Sequence, residues 1–210
     1  MAEEAIQDTN NLGVGKGRPG GYAAIAPAGT DLTQIIDVSK TIKELVGSVP
    51  NMRSLGYISE DGVEWSTDTD TSDNSEWGGK VVDSSLSSYA ESAQVTFLES
   101  RDSVLKAVYG DDNVTTKDGT TTIRHNENFT DSHVFIFDSV VSATKVKRSI
   151  IPVGRIFERD SVTENSSDMR GYTPTIKCMP YDGFDGDVCR DYIYDASAKS
   201  AAGGSAGAGA

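Results

Sequence analysis

The residues best suited to chemistry are scattered along this chain, and their neighbours deny them the geometry that chemistry needs. Gly203-Gly204-Ser205-Ala206-Gly207 matches the G-x-S-x-G pattern of a serine nucleophile. That pattern works on a strained strand-to-helix elbow, whereas here it lies in a run of Ala and Gly. Gly13, Gly15, Lys16, Gly17 and Gly20 suggest a loop that cradles phosphate, but Gly17 follows Lys16 where a hydroxyl residue is needed, and no apolar strand comes before. Asp68-Thr69-Asp70-Thr71-Ser72-Asp73 starts like a calcium loop. Its sixth position is Asp73 rather than Gly and its twelfth is Gly79 rather than a bidentate Glu, so adventitious divalent binding is the most it offers.

The two histidines, His125 and His133, have no cysteine partner at zinc-finger spacing. A Ser-His-Asp triad would have to assemble in space, and so many Ser and Asp residues give no pointer to one. Asn113-Val-Thr115, Asn128-Phe-Thr130 and Asn165-Ser-Ser167 are formal glycosylation acceptors, expected to be silent without a secretory signal. No reaction class, metal or cofactor is indicated. The expectation is a protein that is not an enzyme.

The elements that would position any site read as mainly β. Gly21 to Pro27 is a candidate first strand; Leu32, Ile35, Ile36, Ile42, Leu45 and Val46 fit a helical stripe, Ile35 to Val38 alone also fits a short strand, and at least one short helix ending near Gly47 is expected. Leu55 to Ser59 and Val95 to Glu99 read as strands on either side of a long acidic loop. A helix over 100–109 has Ser100 as cap, Asp102 in the first turn, Lys106 in the last and Gly110 as a left-handed stop. Val104, Leu105, Val108 and Tyr109 share one face, so that helix must pack against a sheet.

After Gly110 the pattern is strand and turn. Asp118-Gly119 sits between β-branched arms as a hairpin turn. His133 to Val141 alternates Phe135 and Phe137 with Val134, Ile136 and Val140, so both faces call for burial. Val146 to Ile150 and Val153 to Arg159 read as strands broken at Pro152, and Tyr172 to Met179 and Val188 to Tyr194 close the domain. Regularly spaced short strands point to a β-sandwich or small barrel with one or two short flanking helices. The expected organisation is a flexible arm over 1–20, one domain over 21–195 and a disordered Ala/Gly-rich tail over 196–210.

Composition narrows the role. The 210 residues are 37% hydrophobic and 24% charged, enough for one core or two small ones. There is no apolar run of about 18 residues, and the acidic, polar Met1 to Asn10 has no signal-peptide pattern, so a cytosolic origin is expected. Cys178 and Cys189 would stay reduced there. A net charge of −13 disfavours nucleic-acid binding, because phosphate affinity comes from Lys and Arg.

The distribution of charge adds to this. Glu60, Asp61, Glu64, Asp68, Asp70, Asp73 and Glu76 stand with no Lys or Arg among residues 60–76. Lys145, Lys147, Arg148, Arg155 and Arg159 oppose the single Glu158 in 145–159. Two readings fit: solvated faces, or head-to-tail complementarity between copies. Trp65, Trp77 and Tyr57 bracket the acidic stretch and fit either an interface or ordinary core packing.

The order of these segments, with Gly-Tyr-Ile-Ser-Glu-Asp-Gly-Val at 56–63 and Leu-Lys-Ala-Val-Tyr-Gly at 105–110, resembles the major tail tube proteins of long-tailed bacteriophages of the siphovirus type. Gly21-Tyr22-Ala23-Ala24-Ile25-Ala26-Pro27 is similar to the first strand of such a subunit. Lys147 to Pro152 and Tyr172 to Gly186 are similar to its closing strands, so the resemblance covers roughly residues 20–195. It implies a tail-tube β-sandwich that self-assembles into stacked hexameric rings around an acidic channel, with genome DNA passing at ejection without specific binding.

The resemblance also implies a tape-measure protein inside the tube, terminator and tip proteins at its ends, and no membrane span. Assembly in the host bacterial cytoplasm and residence in the virion tail follow. Trp65, Asp68, Asp70, Asp73, Glu76 and Trp77, with Lys145, Lys147, Arg148, Arg155 and Arg159, are the candidate contacts between subunits or rings. The helix over 100–109 would support the ring from the outer side of the sheet. The competing reading is a monomeric β-sandwich module binding a carbohydrate or cell-surface ligand.

Overall fold

Apolar side chains alternating along several strands, with turn residues between them, give a mainly antiparallel β protein in the computed structural model, which describes residues 13–197. In chain order the first elements are β1 (Lys16–Gly17), β2 (Ala23–Pro27), α1 (Ile42–Ser48), β3 (Arg53–Ser54), β4 (Ile58–Ser75), β5 (Val81–Phe97) and α2 (Asp102–Tyr109). Then come β6 (Val114–Lys117), β7 (Thr120–Ile123), β8 (Ser132–Val140), β9 (Lys145–Arg159), β10 (Pro174–Cys178) and β11 (Arg190–Asp195). The main sheet runs β3-β2-β8-β9-β10-β5-β4, with β1 added beside β8 and β11 beside β9. β6 and β7 form a separate hairpin whose Asp118 and Gly119 both take positive φ, 50° and 78°, as a two-residue turn of this hand requires.

Both faces of the central strands are buried. Ala23, Ile25, Phe135, Phe137 and Ile151 join Val104, Leu105 and Val108 of α2 in one core. Ala24, Ala26, Val134, Ile136 and Ile150 join Ile42 and Leu45 of α1 in the other. Each such side chain withdrawn from water is worth about 1.5–3 kcal/mol. The sheet also rolls on itself: Trp65 of β4, at the far end of the strand order, packs edge-on against Phe137 of β8 with ring centroids 6.2 Å apart. The two packed halves of this rolled sheet make the β-sandwich.

Several expectations are corrected. The acidic stretch 60–76 is not a loop but most of β4, paired with a β5 that starts at Val81 rather than Val95. β9 is not broken at Pro152, which lies between the stretch paired with β11 (145–150) and the stretch paired with β10 (154–159). On its other side the register with β8 shifts between His133 and Phe135. The missing N–H therefore falls where no ladder bond is due.

The stripe at 31–46 is helical only from Ile42. Upstream, Asp31 accepts from the Thr33 N–H at 2.9 Å and Asp37 from the Ser39 N–H at 3.1 Å, local bonds that compete with helix formation. Thr41 and Glu44 then form a reciprocal capping box. α2 begins at Asp102 with Arg101 as its cap residue, and Ser100 Oγ meets the Tyr172 hydroxyl at 3.0 Å instead of capping.

Of the expected N-terminal arm, residues 16–17 pair with β8, and Arg18 donates to the Val38 and Lys40 carbonyls at 2.9 and 3.0 Å. Residues 1–12, and residues 198–210 with the G-x-S-x-G pattern, lie outside the described part. Among the described residues no helix is long and apolar enough to cross a membrane.

Candidate assembly surface

β4 and β5 leave the body together as one long hairpin. Every residue from Ser66 to Tyr89 is exposed, so neither face of this stretch is covered. Its register sorts the side chains, since alternate residues point to opposite faces. Glu64, Asp68 and Asp70 pair with Gln94, Ala90 and Ser88 on one face, where Ser88 Oγ donates to Asp70 at 2.9 Å. Trp65, Thr67, Thr69 and Thr71 pair with Ala93, Glu91, Tyr89 and Leu86 on the other. That second face is the core side, where Ala93 and Val95 are buried; farther out its Tyr89, Leu86 and Val81 are exposed. Asp73, paired with Ser84, follows the same stretch, and Glu76 opens the tip turn, whose Gly79 N–H donates to the Glu76 carbonyl at 2.8 Å. At the tip Trp77 is fully exposed.

The two tryptophans named together in the sequence therefore separate. Trp65 belongs to the core edge, with Lys147 Nζ 6.0 Å from its ring centroid. Trp77 stands alone in solvent at the tip.

The basic segment separates as well. Arg148 is completely buried: its Nε and Nη2 both donate to Asp138 at 2.6 Å, and it also reaches the carbonyls of Ile35, Asp37 and Lys40. Arg18 adds a second guanidinium to Asp138 at 3.1 Å. Arg159 stacks between Tyr109 and Phe129, 4.7 and 4.6 Å from their centroids, and donates to the Val108 carbonyl. Both arginines serve the fold of a single subunit. Lys147 pairs with Asp191 at 3.0 Å, Arg155 donates to Ser132 Oγ at 2.7 Å, and Lys145 opens β9 beside the turn that joins it to β8. These three, with the partly exposed Arg159, are the members of the basic set that remain near the surface.

At the root of the hairpin the sequence marks a turn pair, Asp61-Gly62, which in the structure belongs to a bulge. Ile58 pairs with Phe97 and Val63 with Val95, so Ser59, Glu60, Asp61 and Gly62 stand opposite Thr96 alone. This wide bulge lines a groove of about 710 Å³ together with residues of β1, β8 and β9. Trp65 and Phe137 line it between Glu60 and Asp61 on one wall and Lys16 and Lys147 on the other.

The histidines and cysteines take structural places. His133 Nε2 meets Asp111 Oδ2 at 3.1 Å, a hydrogen bond that holds the Asp111 carboxyl below its ordinary range. His125 packs edge-on against Tyr109. Cys178 and Cys189 are free thiols; burial pushes Cys178 up to about 12 and Cys189 in the same direction, so neither offers a ready thiolate. Among the described residues no group of three or more His, Cys, Asp or Glu could hold a metal ion.

Compared with protein families, the chain matches the one described as phage tail tube protein over residues 19–187. No curated protein matches it.

Proposed function

Because the chain belongs to the phage tail tube family, a structural component of the virion tail, we propose that its subunits form hexameric rings that stack into a tube conducting genome DNA into the host. The family match carries this reading. The hairpin supports it: an isolated two-stranded ribbon is marginal in water, and one exposed on both faces from Ser66 to Tyr89 gains its covering from other copies. Toward the tip, Asp73, Glu76 and Trp77 would meet an adjacent ring or subunit, with Lys145, Lys147 and Arg155 as basic counterparts.

The face bearing Glu64, Asp68 and Asp70 is the best candidate for the channel wall. Ser, Ala and Gln accompany these acids across the ladder, and each of the six chains brings a net charge of −13. Like charge on the wall keeps the phosphate backbone from sticking during transit. α2 fits a supporting role away from DNA: Arg101 is held by Glu99 at 2.6 Å and Lys106 by Asp102 at 3.0 Å. Host-cytoplasmic assembly around a tape-measure protein, with terminator and tip proteins at the ends, completes the proposal. No catalytic step is part of it.

The test is negative-stain electron microscopy of the concentrated protein alongside sedimentation. Hollow tubes of uniform width with sixfold rings are expected. A monomer at every concentration, with and without the other tail proteins co-expressed, would overturn the tube and favour the monomeric binding module.

A further inference from the structure

Trp77 exposes its entire side chain at the hairpin tip, leaving about 150–250 Å² of aromatic surface in water. The same turn brings together an acid and a base, for the Glu76 N–H donates to the Lys80 carbonyl at 2.9 Å. An acidic and a basic residue therefore close the turn that carries the indole, one on each strand. At the root of the hairpin the groove offers the matching arrangement. Its aromatic floor, Trp65 and Phe137, lies between the acids Glu60 and Asp61 and the bases Lys16 and Lys147. From Trp65 to Ser75, β4 rises by roughly 33 Å, so a tip cannot reach the groove of its own chain.

We propose that the tip of one copy, residues 76–80, seats in this groove of a second copy. The Trp77 indole lies on the aromatic floor, Glu76 faces the lysine wall and Lys80 the acidic wall. Donor and acceptor are different surfaces, so the contact is heterologous: each joined pair leaves one tip and one groove open, and the contact repeats from ring to ring along the stack. This assignment rests on the tube reading and names the surface that receives the hairpin.

The experiment measures the threshold concentration for tubes, by sedimentation and negative-stain microscopy, in the full chain and in Trp77→Ala, Lys80→Glu, Asp61→Lys and the Lys80→Glu/Asp61→Lys double variant. Thermal unfolding confirms that each is folded. Trp77→Ala is expected to raise the threshold about 30-fold or more, as loss of a central aromatic anchor does. Each charge reversal should raise it, and the double variant should return to within about 3-fold of the parent. A Trp77→Ala threshold equal to the parent's, or a double variant worse than either single one, overturns the groove assignment while the tube reading stands. A parent chain that forms no tubes, alone or with the other tail proteins co-expressed, overturns the tube reading itself.

Discussion

In the body, β2 and β8 bury side chains on both faces, Phe135 and Phe137 into one core and Val134 and Ile136 into the other, whereas from Ser66 to Tyr89 the hairpin buries none. Both regions are antiparallel ladders, so the ladder is not what distinguishes them. Fixing a residue's backbone costs about 1–2 kcal/mol. The body offsets that cost with apolar burial; the hairpin, built of Ser, Thr and Asp, has mainly the ladder and a few side-chain bonds. One region is complete in a single subunit, and the other, on the proposed reading, takes its cover from a surface outside it.

The contrast breaks most visibly at the buried charge. Arg148→Ala should cost about 3–5 kcal/mol of stability in chemical denaturation, because it strips Asp138 of its bidentate partner and takes from the Ile35 carbonyl its side-chain donor. A loss under 1 kcal/mol would mean that Arg18 alone carries the cluster.

A smaller effect belongs to Asp111. Its hydrogen bond with His133 lowers its folded-state pKa, so its contribution is present above the unfolded value near 3.9 and is lost as pH falls through the lower folded value. Asp111 is about half exposed, which keeps the contribution to about 0.5 kcal/mol. Asp111→Asn should therefore be less stable than the parent at pH 7, with the gap closing below about pH 4. A gap that stays the same at pH 3 would assign the effect to something other than the carboxylate.

The smallest expected change sharpens the contrast from the other side. Deleting residues 66–76, the outer part of β4 and the start of the tip, should shift subunit stability by under about 0.5 kcal/mol while abolishing tubes, since the removed residues are exposed. Thermal unfolding and microscopy read the two effects separately. A collapse of stability would show that the ribbon supports the body after all.

The sequence was legible where burial writes a period. Phe135 and Phe137 against Val134 and Ile136, and Val104, Leu105 and Val108 on α2, are read from spacing alone and are buried as expected. The outer hairpin was illegible because its strands carry no apolar alternation. Ser, Thr and Asp there read locally as a loop, and only pairing with residues up to a few dozen positions away makes them extended. Counting charges likewise could not place Arg148. Its signal was Asp138, the one acid inside an apolar strand, which needed a buried partner. Thr41-x-x-Glu44 was a readable start signal for α1 that the wider apolar stripe obscured. The groove depended on a bulge opposite Thr96, a feature of register that no single segment encodes.

The Arg18–Asp138–Arg148 cluster also has a consequence in time. Arg18 is made early, but the carboxylate that holds it and the second arginine follow 120 or more residues later. At about 5–20 residues per second of synthesis, the N-terminal edge waits on the order of ten seconds for its anchor. The β4/β5 ribbon closes between neighbours in sequence, an event of microseconds. The part of the molecule that reaches outward can therefore pair before the frame that will steady it exists, and the last third of the chain sets the moment at which a newborn subunit is complete.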